Sequence, residues 1–176
     1  AARARRRCRA GQARAAARAG GRRRGTPVRL HEPVVVLTDY LLAVECGVFA
    51  TLLVRRGADA AWSTVFAATS VASLLGGTVH GFFPSDAESL ASRALWVITM
   101  LCVGVTAAAL VRVGAGVGWG RERARTLNPG LGMALIGYVG VVLFVSRDFN
   151  VAIAAYLPAA LFTMFAFARN GWRGRS

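Results

Sequence analysis

After Asp59 no Asp, Glu or Arg appears until Asp86, an interval of 26 residues. Three similar intervals follow: Arg93 to Arg112 encloses 18 residues, Arg125 to Arg147 encloses 21, and Asp148 to Arg169 encloses 20. A helix crosses the roughly 30 Å hydrocarbon core of a bilayer with about 20 mostly apolar residues. Each interval is therefore a candidate span. A fifth, Val34–Val54, is apolar apart from Asp39 and Glu45. Its 12 Val, Leu and Phe residues each favour insertion by roughly 0.3–0.6 kcal/mol, whereas a central acid opposes it by roughly 2.5–3.5 kcal/mol. Glu45 is central and Asp39 is off-centre, so the sum permits insertion. The expected fold is all-α, a polytopic transmembrane helical bundle with five spans near 34–54, 60–83, 94–111, 130–145 and 150–168. The connections between them are short, which forces antiparallel neighbours and an up-down arrangement.

A composition of 55% apolar and 17% charged residues excludes an ordinary soluble domain and a disordered body. The net charge of +14 suggests nucleic acid until the charges are located. Lys is absent, and 11 of the 22 Arg precede Val34; beyond it 11 Arg face 7 acids. The charge belongs to the tail, and no nucleic-acid partner is expected for the body. Residues 1–29 are almost entirely Arg, Ala and Gly, with no apolar periodicity to bury a face. They read in three ways: a basic arm holding anionic lipid, an organelle transit peptide, or a GC-rich stretch read upstream of a true start near Val28 or Leu30. The third is preferred, with residues 30–176 as the bundle, and the ending Arg169–Ser176 fits a truncation after the fifth span. Cys8, Cys46 and Cys102 have no spacing that suggests zinc or a disulfide framework. Gly114–Gly120 reads as a flexible lead into a basic loop, Arg112–Pro129.

Orientation follows from the loops. With the N-terminus inside, the body would place Arg93 and Arg147 inside and nine Arg outside, against the positive-inside rule. The body is expected to run N-terminus out and C-terminus in, across a bacterial inner membrane.

Polar residues within spans are costly and usually face the interior of a bundle. On the first span Asp39, Ala43, Cys46, Gly47 and Ala50 form one small-residue stripe that allows close helix approach. Glu45 lies six residues beyond Asp39, about 120° around the helix, so the two carboxylates do not share a face. A mid-membrane acid is a functional candidate; the alternative is a carboxylic acid hydrogen-bonded to a neighbour's Ser or Thr. On the second span Thr69, Ser73, Gly76 and His80 make a polar stripe. Antiparallel pairing brings Asp39 and His80 to one membrane level, with Asp86, Glu88, Asp148 and Asn150 nearby, and a direct Asp39–His80 contact is expected. The bland alternative for His80 is a structural hydrogen-bond partner. Pro158 removes a backbone donor beside Tyr156 and reads as a kink before it reads as a site. Trp62, Trp96, Trp119 and Trp172 fall where interfacial aromatic belts belong.

The strings Leu37-Thr38-Asp39-Tyr40-Leu41-Leu42-Ala43-Val44-Glu45-Cys46 and Leu74-Leu75-Gly76-Gly77-Thr78-Val79-His80-Gly81-Phe82 resemble an uncharacterised family of bacterial multi-span membrane proteins, from Thr38 to about Phe167. That resemblance implies no known activity. More distantly, a small-residue helix ending in His is similar to the superfamily of alkaline ceramidases and progestin/adipoQ receptors. Those are seven-helix proteins whose enzyme members hold a zinc with three His. Their Ser, four residues before the second-helix His, is Gly76 here, with Thr78 closer by. Their last-helix His-x-x-x-His has no counterpart. The resemblance implies that His80 faces a polar cavity.

The leading expectation is an integral membrane protein whose polar stripe binds or passes a small molecule, with Glu45, Thr69, Ser73, Asn150 and Tyr156 as binding candidates. The enzyme alternative is a metal-dependent lipid hydrolase with Asp39 and His80 as zinc ligands or as an acid–base pair. A third reading is a structural or assembly subunit whose small-residue faces meet other membrane subunits. No cofactor beyond that zinc is expected, and the lipid bilayer is the common partner.

Overall fold

A computed structural model describes residues 30–83 and 89–173, and these form six helices with no strand among them. They are α1 (Pro33–Arg55), α2 (Ala60–Phe82), α3 (Leu90–Trp119), α4 (Arg121–Thr126), α5 (Asn128–Phe144) and α6 (Phe149–Arg173). The expectations for residues 1–29, Asp86 and Glu88 lie outside the described residues.

The helix starts are chemically legible. Pro33 occupies the first turn of α1, where its missing N–H costs nothing. Asp59 caps α2, accepting a hydrogen bond from the Ala61 amide at 2.9 Å. Ser89 caps α3 by accepting from the Ser92 amide at 3.1 Å. Gly57 supplies the positive φ of 63° that the tight α1–α2 connection needs.

Four helices, α1, α2, α3 and α6, are long and apolar enough to cross a membrane. The fifth expected span, α5, has 17 residues, about 25 Å at about 1.5 Å per residue. It is therefore a shorter apolar helix beside four full-length ones. Outward faces carry large apolar side chains such as Leu37, Leu41 and Val44 on α1, Ile136 on α5, and Leu161 and Phe165 on α6. Lipid is the solvent that suits such a surface.

The largest departure from expectation is in α3. It runs for 30 residues, straight through the Gly114–Trp119 stretch read above as a flexible lead. Glycine disfavours helix by about 1 kcal/mol relative to alanine, but tertiary contact outweighs it here. A methyl on Gly114 would stand 3.0 Å from the Phe162 ring and from Thr163 Cα, so α3 and α6 touch nearly backbone to backbone. The Thr163 hydroxyl seals the contact, donating to Leu110 O on α3 and to Ala159 O on its own helix, each at 2.8 Å. The expected basic loop is also partly helical, as α4 and the start of α5.

Not all sequence neighbours pack chiefly on one another. The helices pack α1 on α2, α2 on α3, and α3 on α6, with α4 and α5 also seated on α3. Although α5 and α6 are consecutive, each docks chiefly on α3. Tyr138 of α5 explains its own half: its ring covers Gly104, where a methyl would come within 2.5 Å of it. Its hydroxyl donates to Met100 O at 2.9 Å.

Candidate functional site: a cavity between four helices

On α1 the expected stripe is the inner face. Ala43, Cys46 and Ala50 are buried, and the Ser70 hydroxyl reaches across from α2 to donate to Ala43 O at 2.6 Å. At the other end of this seam Gly76 and Gly77 let α1 come close. A methyl on Gly77 would lie 2.9 Å from Asp39 Cβ and 3.3 Å from the Tyr40 ring; on Gly76 it would lie 3.7 Å from Asp39 Oδ2 and from Thr99 Cγ2. The Asp39 carboxylate is thus drawn over the two glycines, at the edge of a cavity.

That cavity has a volume of about 540 Å³ and is walled by α1, α2, α3 and α6. The α2 stripe lines it completely: Thr69, Ser73, Gly76 and His80 all face it. Thr69 and His80 are eleven positions apart, so the cavity extends roughly 16 Å along the helix. From α3 come Trp96, Thr99 and Thr106; from α6, Phe149 and Tyr156. The α3 contributions follow helical spacing, and that stripe could have been found in the sequence by the reasoning that found the α2 one.

Asp39 and His80 share this cavity but do not bond. Among the described residues no hydrogen bond or ion pair joins them; His80 Nδ1 instead lies 3.0 Å from Glu32 Oε2. The reason is axial. Asp39 is held back over Gly76 and Gly77, whereas His80 sits a turn nearer the helix end, within reach of the residue just before α1. The imidazole also meets Trp96 edge to face, at 6.2 Å between ring centroids. Trp96 is itself fixed by donating from Nε1 to Arg147 O at 2.9 Å. Glu32 had no signal in the sequence, because only the folded chain brings it to His80.

The other candidates divide. Thr69, Ser73 and Tyr156 line the cavity; Glu45 and Asn150 do not. Glu45, expected as a binding candidate, is instead exposed on α1, away from the Asp39 face. Asn150 is exposed at the start of α6, where its amide donates to Asp148 Oδ1 at 3.0 Å. Pro158 lies inside α6 and is exposed, and the helix continues across it.

The polar lining is rich in acceptors. Thr69, Thr99 and Thr106 each donate their hydroxyl hydrogen to a carbonyl one turn back, at 2.8, 2.9 and 3.0 Å. Their oxygens keep lone pairs for a guest. Asp39 adds a carboxylate with no hydrogen bond among the described residues. A donor-bearing molecule with an apolar body suits these walls. A zinc site suits them less. No three His, Cys, Asp or Glu side chains converge among the described residues, and a catalytic zinc takes three protein ligands plus an open position.

Comparison with curated proteins gives no match, and comparison with solved structures gives none either. Residues 34–176 match a family of unknown function throughout, a stretch that takes in nearly all of the helical bundle. The chain is a member of that family, DUF6962.

Proposed function

We propose that this integral membrane protein binds an amphipathic small molecule carrying a hydroxyl or amine donor, held in the cavity between α1, α2, α3 and α6. The observation that supports the reading most directly is the acceptor-rich wall of a cavity of about 540 Å³ whose remaining lining is apolar. A ligand pocket of this type pairs a largely apolar lining with a few placed polar groups. The donor would meet Asp39 and the threonine oxygens, and the apolar body would lie against Val103, Ile153 and the aromatic rings of Trp96 and Phe149. The orientation proposed with it is N-terminus out and C-terminus in. Arg55, Arg56, Arg112, Arg121, Arg123 and Arg125 then fall on the cytoplasmic side.

Thermal unfolding of the purified full chain in a neutral detergent tests the reading. Dodecylamine and dodecanol should raise the transition temperature, and dodecanoate should not. Ser73→Leu, which fills the cavity and removes a hydroxyl, should abolish the response. An equal response in wild type and Ser73→Leu overturns the assignment. Protease access to the C-terminus from outside intact cells overturns the orientation.

A further inference from the structure

At the opposite end of the bundle from His80, three arginines converge on a second concavity. Arg112 comes from α3, and Arg121 and Arg125 come from one face of α4, four residues apart. With Asp59 and Trp62 they enclose about 170 Å³. The floor of the concavity is Gly116, where an added methyl would meet nothing within 4 Å. Here the helical continuation of α3 matters. It carries Gly116 one turn beyond Arg112 and holds α4 above it, which gives the basic segment a fixed shape.

The charge balance is positive. Asp59 is the one acid lining the concavity, and it is already committed. Its Oδ1 accepts from the Ala61 amide at 2.9 Å, while its Oδ2 lies 3.9 Å from Arg121 Nε. Glu122, between the two α4 arginines in sequence, does not line the space. Arg112 donates to Asn128 Oδ1 at 3.1 Å, which orients its guanidinium and leaves its charge uncompensated. Two positive charges therefore remain after Asp59 is counted against three. Trp62 supplies the amphipathic ring that favours the level of lipid headgroups. Arginine's planar fork matches the geometry of phosphate oxygens.

We infer that this concavity binds a phosphate oxyanion, that of an anionic phospholipid headgroup in the adjoining leaflet. The lipid source is favoured over free phosphate because the site adjoins spans whose outer faces suit acyl chains, and because basic pockets between membrane helices recruit such headgroups. This inference is independent of the cavity between the four helices.

The test uses the full chain in a neutral detergent, titrated with dihexanoyl-phosphatidylglycerol, dihexanoyl-phosphatidylcholine or inorganic phosphate and followed by intrinsic tryptophan fluorescence. Phosphatidylglycerol should bind at least about tenfold more tightly than phosphatidylcholine, and Arg112→Gln or Arg125→Gln should each weaken it by about fivefold or more. Gly116→Leu keeps every arginine and projects into the concavity, where an added methyl meets nothing within 4 Å; with helical content checked by circular dichroism, it should weaken binding at least about tenfold. Arg123→Gln, outside the concavity, should bind as wild type does. Equal binding of the two lipids, or unchanged binding by Gly116→Leu, overturns the site. Displacement of phosphatidylglycerol by inorganic phosphate at equal concentration overturns the lipid assignment.

Discussion

His80, which lines the cavity, and Glu32, just before α1, face each other at 3.0 Å, with 38% and 52% of their side chains exposed. An imidazole–carboxylate contact this open to its surroundings couples weakly, by about 0.2–1 kcal/mol. A double-mutant cycle with Glu32→Gln and His80→Gln, read by reversible unfolding in detergent, should return a coupling in that range. A coupling of several kcal/mol would mean that the pair sits in a drier place than its exposure indicates.

The two adjacent glycines of α2 should behave differently on substitution. Gly77→Ala places a methyl 2.9 Å from Asp39 Cβ, with the Tyr40 ring at 3.3 Å behind it. Overpacking of this kind costs typically about 1–3 kcal/mol. Gly76→Ala meets its neighbours at 3.7 Å, an ordinary contact, and should be close to neutral or slightly stabilising. Comparison of the two melting temperatures decides it; equal destabilisation would show that α1 does not approach α2 as described.

Gly104→Ala is expected to be the most damaging single methyl on α3. It would come within 2.5 Å of the Tyr138 ring, so the ring must move and its bond to Met100 O is lost with it. The summed cost should exceed that of Tyr138→Phe, which removes the hydrogen bond alone and should cost about 0.5–1.5 kcal/mol. The reverse ranking in thermal melts would contradict the ring's position over Gly104.

Thr163→Val should loosen α6 from α3. The change keeps the shape and deletes the hydroxyl that bridges Leu110 O and Ala159 O. A loss of about 0.5–1.5 kcal/mol is expected. Ser should restore most of it, and a Ser variant as weak as Val would assign the effect to the methyl group instead.

Zinc analysis of the purified chain addresses the hydrolase alternative. With Asp39 and His80 as the titratable pair in the cavity and His80 Nδ1 turned to Glu32, the metal content should stay well below one per chain. One tightly held zinc per chain, lost in both Asp39→Asn and His80→Gln, would reinstate that reading.

Much of this architecture can be read from the sequence because charge placement alone delimits membrane helices. The bounds of α1 and α2 follow from where Arg55, Asp59 and Pro33 fall, and the α2 stripe from simple helical spacing. The same rotation arithmetic separates Glu45 from the Asp39 face, but it does not give the exposed position that removes Glu45 from the binding candidates. Three things are not legible, each for a tertiary reason. Gly114 disfavours a helix in isolation, and the approach of Phe162 and Thr163 outweighs that tendency. The seating of α5 on α3 depends on the Tyr138 ring finding Gly104 rather than on a short connection to α6. Glu32 precedes the first span and has no pattern around it, so its reach to His80 exists only once α1 and α2 are side by side.

The seam between Gly114 and Thr163 also governs when the cavity comes into being during synthesis. Three of its walls belong to α1, α2 and α3, which adjoin one another in sequence and can assemble as they leave the ribosome. The fourth wall is α6, which follows in sequence and must find α3 after α4 and α5 have passed. Until then the acceptor-lined face of α2 is open to the bilayer. Completion of the site thus waits on α6, and a nascent protein lacks its fourth cavity wall until that helix docks.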